Sequence, residues 1–398
     1  MSGKPKIALW FRYGCAEHAE LFHAMPEVLE SLAETREVHY FGMRSGKDDP
    51  ERLKGKVRFH HLPLTVRRTD GRDKWIKTLL WILAVPLVGL RCRAMGIRAV
   101  YMDETIPPTA ALARLFFGKN VAVTVADMFT DIYLSGRWAW LGRAVQRTEI
   151  RAWRKLPLIF TRARNTRDWL ERQGVPREAV RPVYDPCDFG IYHPLGEGER
   201  AAARAKMGYR AGEVVLVHHG ILHPNKGNDL ILRALAKWRG RLPEVRYLWV
   251  GDGPEMGRLR ALAEELGVAD ICRFTGWLPT LGEVNEALNA GDIGLVMRTG
   301  KESDDFHMTG ALVHSMACGL AVLGARLGGV SEVIRDGENG VLFDPHDMET
   351  FGAGLERLVR DPAGRKRMGA RAAEDARRLF DIPHVVRETV EALEGISG

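Results

Sequence analysis

Residues 214–236 read VVLVHHGILHPNKGNDLILRALA, and the fold turns on how this stretch is understood. Its first six residues are a short apolar run of the kind that forms a buried strand. Gly220 closes that run, and Lys226 stands just before a helix that begins near Asn228. A glycine at a strand end allows φ > 0 and lets backbone N–H groups approach an anion at the start of a helix. A lysine beside it brings a point charge within reach of a diphosphate. Taken singly, each has a plainer reading: Gly220 as a mere turn and Lys226 as a solvated cation.

The same strand-then-helix unit recurs on both sides of this stretch. RYLWVGDG, DICRFTG, IGLVMR and LAVLGA follow it, and KIALWF, EVHYFG, RAVYMD, VAVTVAD and LPLIFTR precede it. Short apolar runs alternating with helical segments predict parallel βαβ units, hence an α/β protein of two doubly wound domains. At 398 residues the chain is long enough for two cores. The Pro- and Gly-rich segment DPCDFGIYHPLGEGER, residues 185–200, reads as the linker. The expected domains are 1–195 and 196–380, with 381–398 a terminal helix returning to the first. Ligands of such folds lie beyond the carboxyl ends of the strands, so a cleft between two facing domains is the expected binding place.

GARLGGVSEVI supplies a second tight turn at Gly328–Gly329, and VGDGPEMGRL a third, at Gly251. The latter resembles a dinucleotide fingerprint, which requires an acidic residue at the end of the next strand. That strand ends in Phe274 and Thr275, which argues against a nicotinamide-dependent oxidoreductase. The five cysteines, Cys15, Cys92, Cys187, Cys272 and Cys318, show neither zinc spacing nor a paired pattern. They read as reduced thiols. MSGKPK runs directly into IALWF without the signature of a signal peptide, so the expected location is cytoplasmic.

The net charge of +7 belongs to the first half, where residues 1–200 hold 33 basic against 23 acidic side chains. Lys74 to Arg93, KWIKTLLWILAVPLVGLRCR, contains an apolar run from Leu79 to Leu90, too short for the roughly 20 residues of a spanning helix. Two readings stand. Either the helix packs on its own domain, or residues 67–93 meet a membrane surface, with Trp75 and Trp81 at headgroup depth. In the second, Arg67, Arg68, Arg72, Lys74, Lys77, Arg91 and Arg93 attract anionic lipid, and the location becomes peripheral on the inner face of the cell membrane. No nucleic-acid motif accompanies the charge, and nucleic acid is not an expected partner.

VVLVHHGILHPNKGNDLILRALA, YLWVGDGPEMGRLRALAEELGV, ICRFTGWLP and HSMACGLAVLGARLGGVSEVIRDGENGVLFDP resemble successive motifs of the GT-B glycosyltransferases, especially family 4. The resemblance is close over about 213–360, and RARNTRDWLERQGVPREAVRPVYDPCDFGIYHP extends it through the linker. It implies two Rossmann-like domains facing across a cleft and transfer of a sugar from a nucleotide-diphosphate donor. The basic, tryptophan-bearing first domain points to an acceptor that is lipid-linked or a glycan, in cell-envelope polysaccharide or glycolipid synthesis. By resemblance Gly220 and Lys226 hold the donor diphosphate, Gly328 and Gly329 lend backbone N–H groups, and Trp277 and Leu278 lie against the base.

Three positions depart from the family. Its paired glutamates fall on Phe306 and His314, and the arginine beside the first phosphate turn falls on Ile221. A neutral imidazole at His314 accepts one hydrogen bond and donates another, so ribose binding takes a different geometry. Asp304, Asp305 and His307 stand near the sugar position in its place, and Arg298 and Lys301 offer replacement cations. RPVYDPCDF and DIGLVMRTG also resemble the dolichol-linked chitobiose β-mannosyltransferases, which lack the glutamate pair as well.

The leaving diphosphate calls for positive charge, which Lys226 and the glycine amides are placed to supply without a metal; no D-x-D signature is present, and no cofactor is expected. A base on the acceptor side comes from Asp127 first, in the place of the family's His-Asp pair, here Ala126–Asp127. Asp103, Glu104 and the first-loop residues Gly14, Glu17 and His18 follow. A retaining reaction, as in most of family 4, needs no dedicated base. UDP-sugar is the expected donor, with GDP-mannose second. The other readings are a soluble small-molecule acceptor, a GT-B sugar-nucleotide epimerase and a non-catalytic nucleotide-sugar binder.

Overall fold

The alternating apolar runs become two all-parallel sheets, seen in a computed structural model that describes residues 4–22, 24–44, 47–63, 71–103, 106–125, 139–299, 302–306 and 308–396. Contacts divide the chain into Met1–Pro186 with Ile382–Gly398, and Cys187–Asp381.

In the first unit the strands are β1 (Lys6–Trp10), β2 (Glu37–Met43), β3 (Val57–Leu62), β4 (Ala99–Met102), β5 (Val121–Val125), β6 (Leu158–Thr161) and β7 (Val180–Pro182). Their spatial order is β3-β2-β1-β4-β5-β6-β7. β1 pairs with β2 in the register Lys6↔Glu37 to Trp10↔Phe41, and with β4 in the register Ile7↔Ala99 to Trp10↔Met102. The order reverses between β1 and β4, which makes their carboxyl ends the crevice of the sheet.

Alternate strand residues feed two cores, as the two-residue side-chain period requires. Trp10, Val100 and Met102 pack under α3 (Gly71–Ala94), α4 (Thr109–Phe117) and α5 (Ala139–Trp153). Leu9, Tyr40 and Tyr101 face the opposite way, towards α1 (Cys15–Leu21) and α2 (Met25–Thr35). α6 (Arg164–Arg172) leads into β7. Trp81 is fully buried in the first of these cores, which corrects its expected place at headgroup depth: its ring is held by the sheet side of α3. Lys77 is buried as well, its ammonium 5.2 Å from the Tyr13 ring, so it is not a lipid-facing charge. Arg67 and Arg68, and the side chains of Arg72, Lys74 and Trp75, lie outside the described residues.

The second unit has β8 (Val214–His219), β9 (Val245–Val250), β10 (Cys272–Phe274), β11 (Ile293–Val296), β12 (Ala321–Ala325) and β13 (Gly340–Phe343). They lie in the order β10-β9-β8-β11-β12-β13, so the reversal falls between β8 and β11. Around this sheet stand α7 (Glu197–Lys206), α8 (Asn228–Trp238), α9 (Met256–Glu265), α10 (Leu281–Asn289), α11 (Gly310–Ala317), the single turn α12 (Gly328–Ser331), α13 (Met348–Arg360) and α14 (Pro362–Phe380).

The linker segment after Pro186 goes with this unit, ahead of the expected boundary at 195. The Leu195 and His193 amides donate to Asn289 and Asn285 at 2.9 and 3.3 Å, which fastens the segment to α10. The last helix, α15 (Ile382–Glu394), buries Val385, Val390 and Leu393 in the core that holds α2, in the first unit.

Candidate active site

Each unit places polar residues at its own crevice. In the first, Gly14 precedes α1 in extended conformation (φ −68°), and His18 follows inside that helix. Phe11 stacks on the His18 ring at 3.7 Å. Asp103 is the residue directly after β4, and its Oδ2 lies 2.8 Å from His18 Nε2. The reversal of strand order is what brings together two residues so far apart in sequence. Asp103 Oδ1 accepts from Thr124 Oγ1 at 2.8 Å, from Arg162 Nη2 at 3.0 Å and from the Tyr101 hydroxyl. Arg162 also reaches Asp185 at 3.1 Å and lies over the Phe22 ring.

Burial works to raise the Asp103 pKa, yet the Arg162 charge and the hydrogen bonds from His18 and Tyr101 outweigh it and hold the carboxyl at about 2. Burial lowers the pKa of His18, which leaves a neutral imidazole donating to Asp103 through Nε2 and facing the Tyr40 hydroxyl, 3.1 Å away, with Nδ1. The structure therefore unites two of the expected acceptor-side residues, His18 and Asp103, in a network closed around the Asp103 carboxylate. Glu17 is half-buried on the same helix. Glu104 and Asp127 lie outside the described residues. Sequence reasoning missed Arg162, although a charged residue ending the LPLIFTR run was the available signal.

The second crevice is built on glycine. Gly220 and Gly251 end β8 and β9 with φ of +124° and +135°. A Cβ on Gly251 would fall 2.1 Å from the Gly220 carbonyl oxygen, so only glycine lets the two turns lie backbone to backbone. Lys226 ends a short 3-10 turn, Pro224–Lys226, and its Nζ stands 4.0 Å from where a Gly220 Cβ would project. The ammonium makes no hydrogen bond among the described residues. Burial, with the nearby Arg298 charge, pushes its pKa down to about 8, while Asp304 opposes the shift.

Arg298 follows β11, across the strand-order reversal from Lys226. Its Nη1 lies 3.3 Å from Asp304 Oδ1, and its buried Nε has no partner among the described residues. The Thr299 amide donates to the Asn225 carbonyl at 3.0 Å and ties the two strand ends together. His219, the last residue of β8, is held neutral by burial, with a pKa lowered to about 4. Its ring meets His314 edge-on at 5.2 Å, and His314 stacks on Tyr192 at 3.8 Å. Sequence reasoning missed His219 and Tyr192, the latter because nothing local in the linker marks it as a stacking partner.

Trp277 is 72% exposed, presenting an open ring, and Leu278 beside it is half-buried. Gly329 is buried, and the Gly328 amide donates to Asp305 Oδ1 at 3.1 Å. In this state, then, a carboxylate of the chain occupies the amide expected to meet a diphosphate. Phe306 is buried, and His307 and Lys301 lie outside the described residues. Ile221, where the family has arginine, is 57% exposed. The crevice thus gathers Lys226, the edge of Arg298, a neutral imidazole and glycine-lined backbone, a set suited to an anionic ligand.

Residues 199–375 match the family model described as glycosyl transferases group 1. The match lies within the second unit, Cys187–Asp381, and covers most of it. Similar proteins include the D-inositol 3-phosphate glycosyltransferase of Thermomonospora curvata, 33% identical over 256 residues, 59% of this chain and 58% of that protein. The protein of the same name from Thermobispora bispora is 31% identical over 319 residues, 78% of this chain and 65% of its own length. The chain thus spans less than two thirds of the length of these curated relatives. Anabaena HepE, solved in complex with UDP, superimposes with a TM-score of 0.72 at 18% identity, over 98% of this chain and all of that one. Together with the two parallel sheets, this likeness assigns the chain the GT-B fold.

Proposed function

We propose that the protein is a glycosyltransferase that moves a hexosyl group from a nucleoside-diphosphate sugar to an acceptor hydroxyl. The observation that carries this reading is Lys226: a half-buried ammonium over the Gly220 turn, with no hydrogen-bond partner among the described residues. Leaving a desolvated cation unpaired is costly, and an incoming diphosphate removes that cost. In the transfer the anomeric C–O bond to the diphosphate breaks, a glycosidic bond to the acceptor oxygen forms, and the nucleoside diphosphate leaves with its charge met by Lys226 and by the glycine-turn amides. In the retaining course the departing phosphate takes the acceptor's proton, and no metal is called on for the leaving group. His314, stacked on Tyr192 and meeting His219 edge-on, is assigned to the ribose side, and Trp277 to the base. UDP-sugar is placed first because the Anabaena protein of the same fold binds UDP; GDP-mannose is second.

Two acceptor readings each have support. A lipid-linked acceptor of cell-envelope glycolipid or polysaccharide synthesis is favoured by the apolar outer face of α3. A soluble phosphorylated polyol is favoured by the name shared by the Thermomonospora and Thermobispora relatives. Thermal-shift titrations of UDP, GDP and their sugars against wild type, Lys226→Ala and His314→Ala test the donor site. One nucleotide that stabilises wild type and loses affinity in both variants is expected; no stabilisation by any of them overturns the reading. The winning donor, supplied with inositol phosphate and with lipid extract in parallel, then decides between the acceptors.

A further inference from the structure

The outer face of α3 is apolar where a soluble helix is ordinarily polar. Ile76, Leu79, Leu83, Leu87 and Leu90 are 50–69% exposed. Their spacings of three and four residues place them in one stripe along the helix, about 21 Å long at 1.5 Å per residue. Trp81, Val85, Val88 and Cys92 fill the opposite face and are buried in the core, so the stripe is not the side that folds the unit. α4 lies against both α3 and α5, and these neighbours extend the same apolar character through Leu115 (77% exposed) and Trp140 (60%).

Charge on these helices is almost entirely positive; Asp73, in the first turn of α3, is an acid whose side chain lies outside the described residues. Residues 76–98, 109–120 and 139–155 contain one acid, Glu149, and it is buried, accepting from the Ala110 and Ala111 amides. Arg143, Arg147 and Arg151 recur every fourth residue along α5, exposed, and like Arg93 and Lys119 they make no ion pair among the described residues. An exposed leucine stripe bordered by unneutralised cations matches an interface with apolar depth and a negative surface. A second copy of the chain, meeting the same face, would set arginine against arginine. No described helix is long and apolar enough to cross a membrane.

We propose that the layer α3–α4–α5 docks this unit flat on an anionic lipid bilayer, with the α3 leucines in the acyl boundary and the α5 arginines at the headgroups. The surface bears on the lipid-linked acceptor, but docking is measured without donor or acceptor, so failure of either proposal leaves the other standing.

The test is co-sedimentation of the full chain with vesicles of phosphatidylcholine alone or with about one third phosphatidylglycerol, at about 0.1 M salt and at higher salt. Wild type is expected in the pellet with the anionic vesicles, and less so as salt rises. Leu83→Glu/Leu87→Glu is expected to lower partitioning by about tenfold or more, since it removes apolar area and adds repelling charge. Arg143→Glu/Arg147→Glu is expected to erase the preference for anionic over zwitterionic vesicles. All these side chains are exposed, and matching melting curves verify that the variants fold. Wild type that stays in the supernatant with both vesicles overturns the proposal. So does a leucine variant that sediments like wild type. A wild-type dimer in light scattering, dissociated by the leucine changes, overturns it in favour of a second copy.

Discussion

The two strand-order reversals are the same topological feature put to opposite uses. Between β1 and β4 the crevice is closed: Asp103 receives His18, Tyr101, Thr124 and Arg162, and a negative charge is matched by a positive one within the protein. Between β8 and β11 it is open: Lys226 has no hydrogen-bond partner among the described residues, Arg298 keeps an unbonded Nε, and the pKa of Lys226 falls to about 8. A satisfied network lowers the energy of the folded chain by itself. An unsatisfied one waits for a ligand, and the cost of its desolvated charge is borne by the rest of the fold.

Removing the acid from the closed crevice should have the largest effect on the chain itself. Asp103→Ala strands the buried Arg162 charge and should cost about 3–5 kcal/mol of stability, measured by urea unfolding. Adding Arg162→Met should return part of the loss. Equal unfolding midpoints for wild type and Asp103→Ala would show that the network contributes nothing. The pH dependence has a fixed sign. A carboxylate held at about 2, below its ordinary 3.8, contributes stability that is present above the ordinary value and is lost as pH falls through 2.

The open crevice should respond the other way. Lys226→Ala removes a desolvated ammonium that makes no hydrogen bond among the described residues, so stability should hold or rise, while turnover falls about 10²–10³-fold, the scale of losing one preorganised charge on a leaving group. A variant that loses stability and activity in parallel would mark Lys226 as structural. That contrast, with Asp103→Ala melting and Lys226→Ala silent until a donor is added, is what separates a scaffold network from a ligand site.

How much of this the sequence displayed depends on distance along the chain. The strand, glycine turn, lysine and helix of 214–236 are legible because each signal is local, and the strand-end glycines announce close backbone approach by themselves. The His18–Asp103–Arg162 network joins residues 85 and 59 positions apart; its members meet only because β1, β4, β5 and β6 are neighbours in space, which no local pattern encodes. The stacking of Tyr192 on His314 is equally non-local. In α3 the difficulty is different. An unbroken run from Leu79 to Leu90 is apolar all round, so periodicity does not tell that Trp81 turns inward while Leu83 and Leu87 turn outward.

The lowered pKa of Lys226 adds a pH test of intermediate size. Its folded value, about 8, lies below the ordinary 10.5, so the free protein sheds this proton earlier than the unfolded chain does. Its folding stability should therefore rise as pH climbs from 8 towards 10.5, the opposite of a lysine held by a carboxylate. A bound diphosphate demands the charged form. Nucleotide affinity should accordingly fall about tenfold per pH unit above 8, and Lys226→Ala should flatten that limb.

Ile221→Arg makes the smallest and most discriminating change, because it returns the family's cation to a position that is 57% exposed and next to the Gly220 turn. In a water-like surrounding a charge pair near 4 Å is worth about 1 kcal/mol, roughly fivefold in nucleotide affinity. The same arginine adds a cation beside the turn over which Lys226 stands, so without nucleotide it should lower stability slightly and push the Lys226 pKa further down. Tighter nucleotide binding together with a lower melting temperature in the free state is the expected pair of results, read by isothermal titration and by thermal unfolding. Both quantities rising together would mean that the new cation finds a carboxylate of the chain, and that the crevice between β8 and β11 is less open than the unbonded Lys226 makes it.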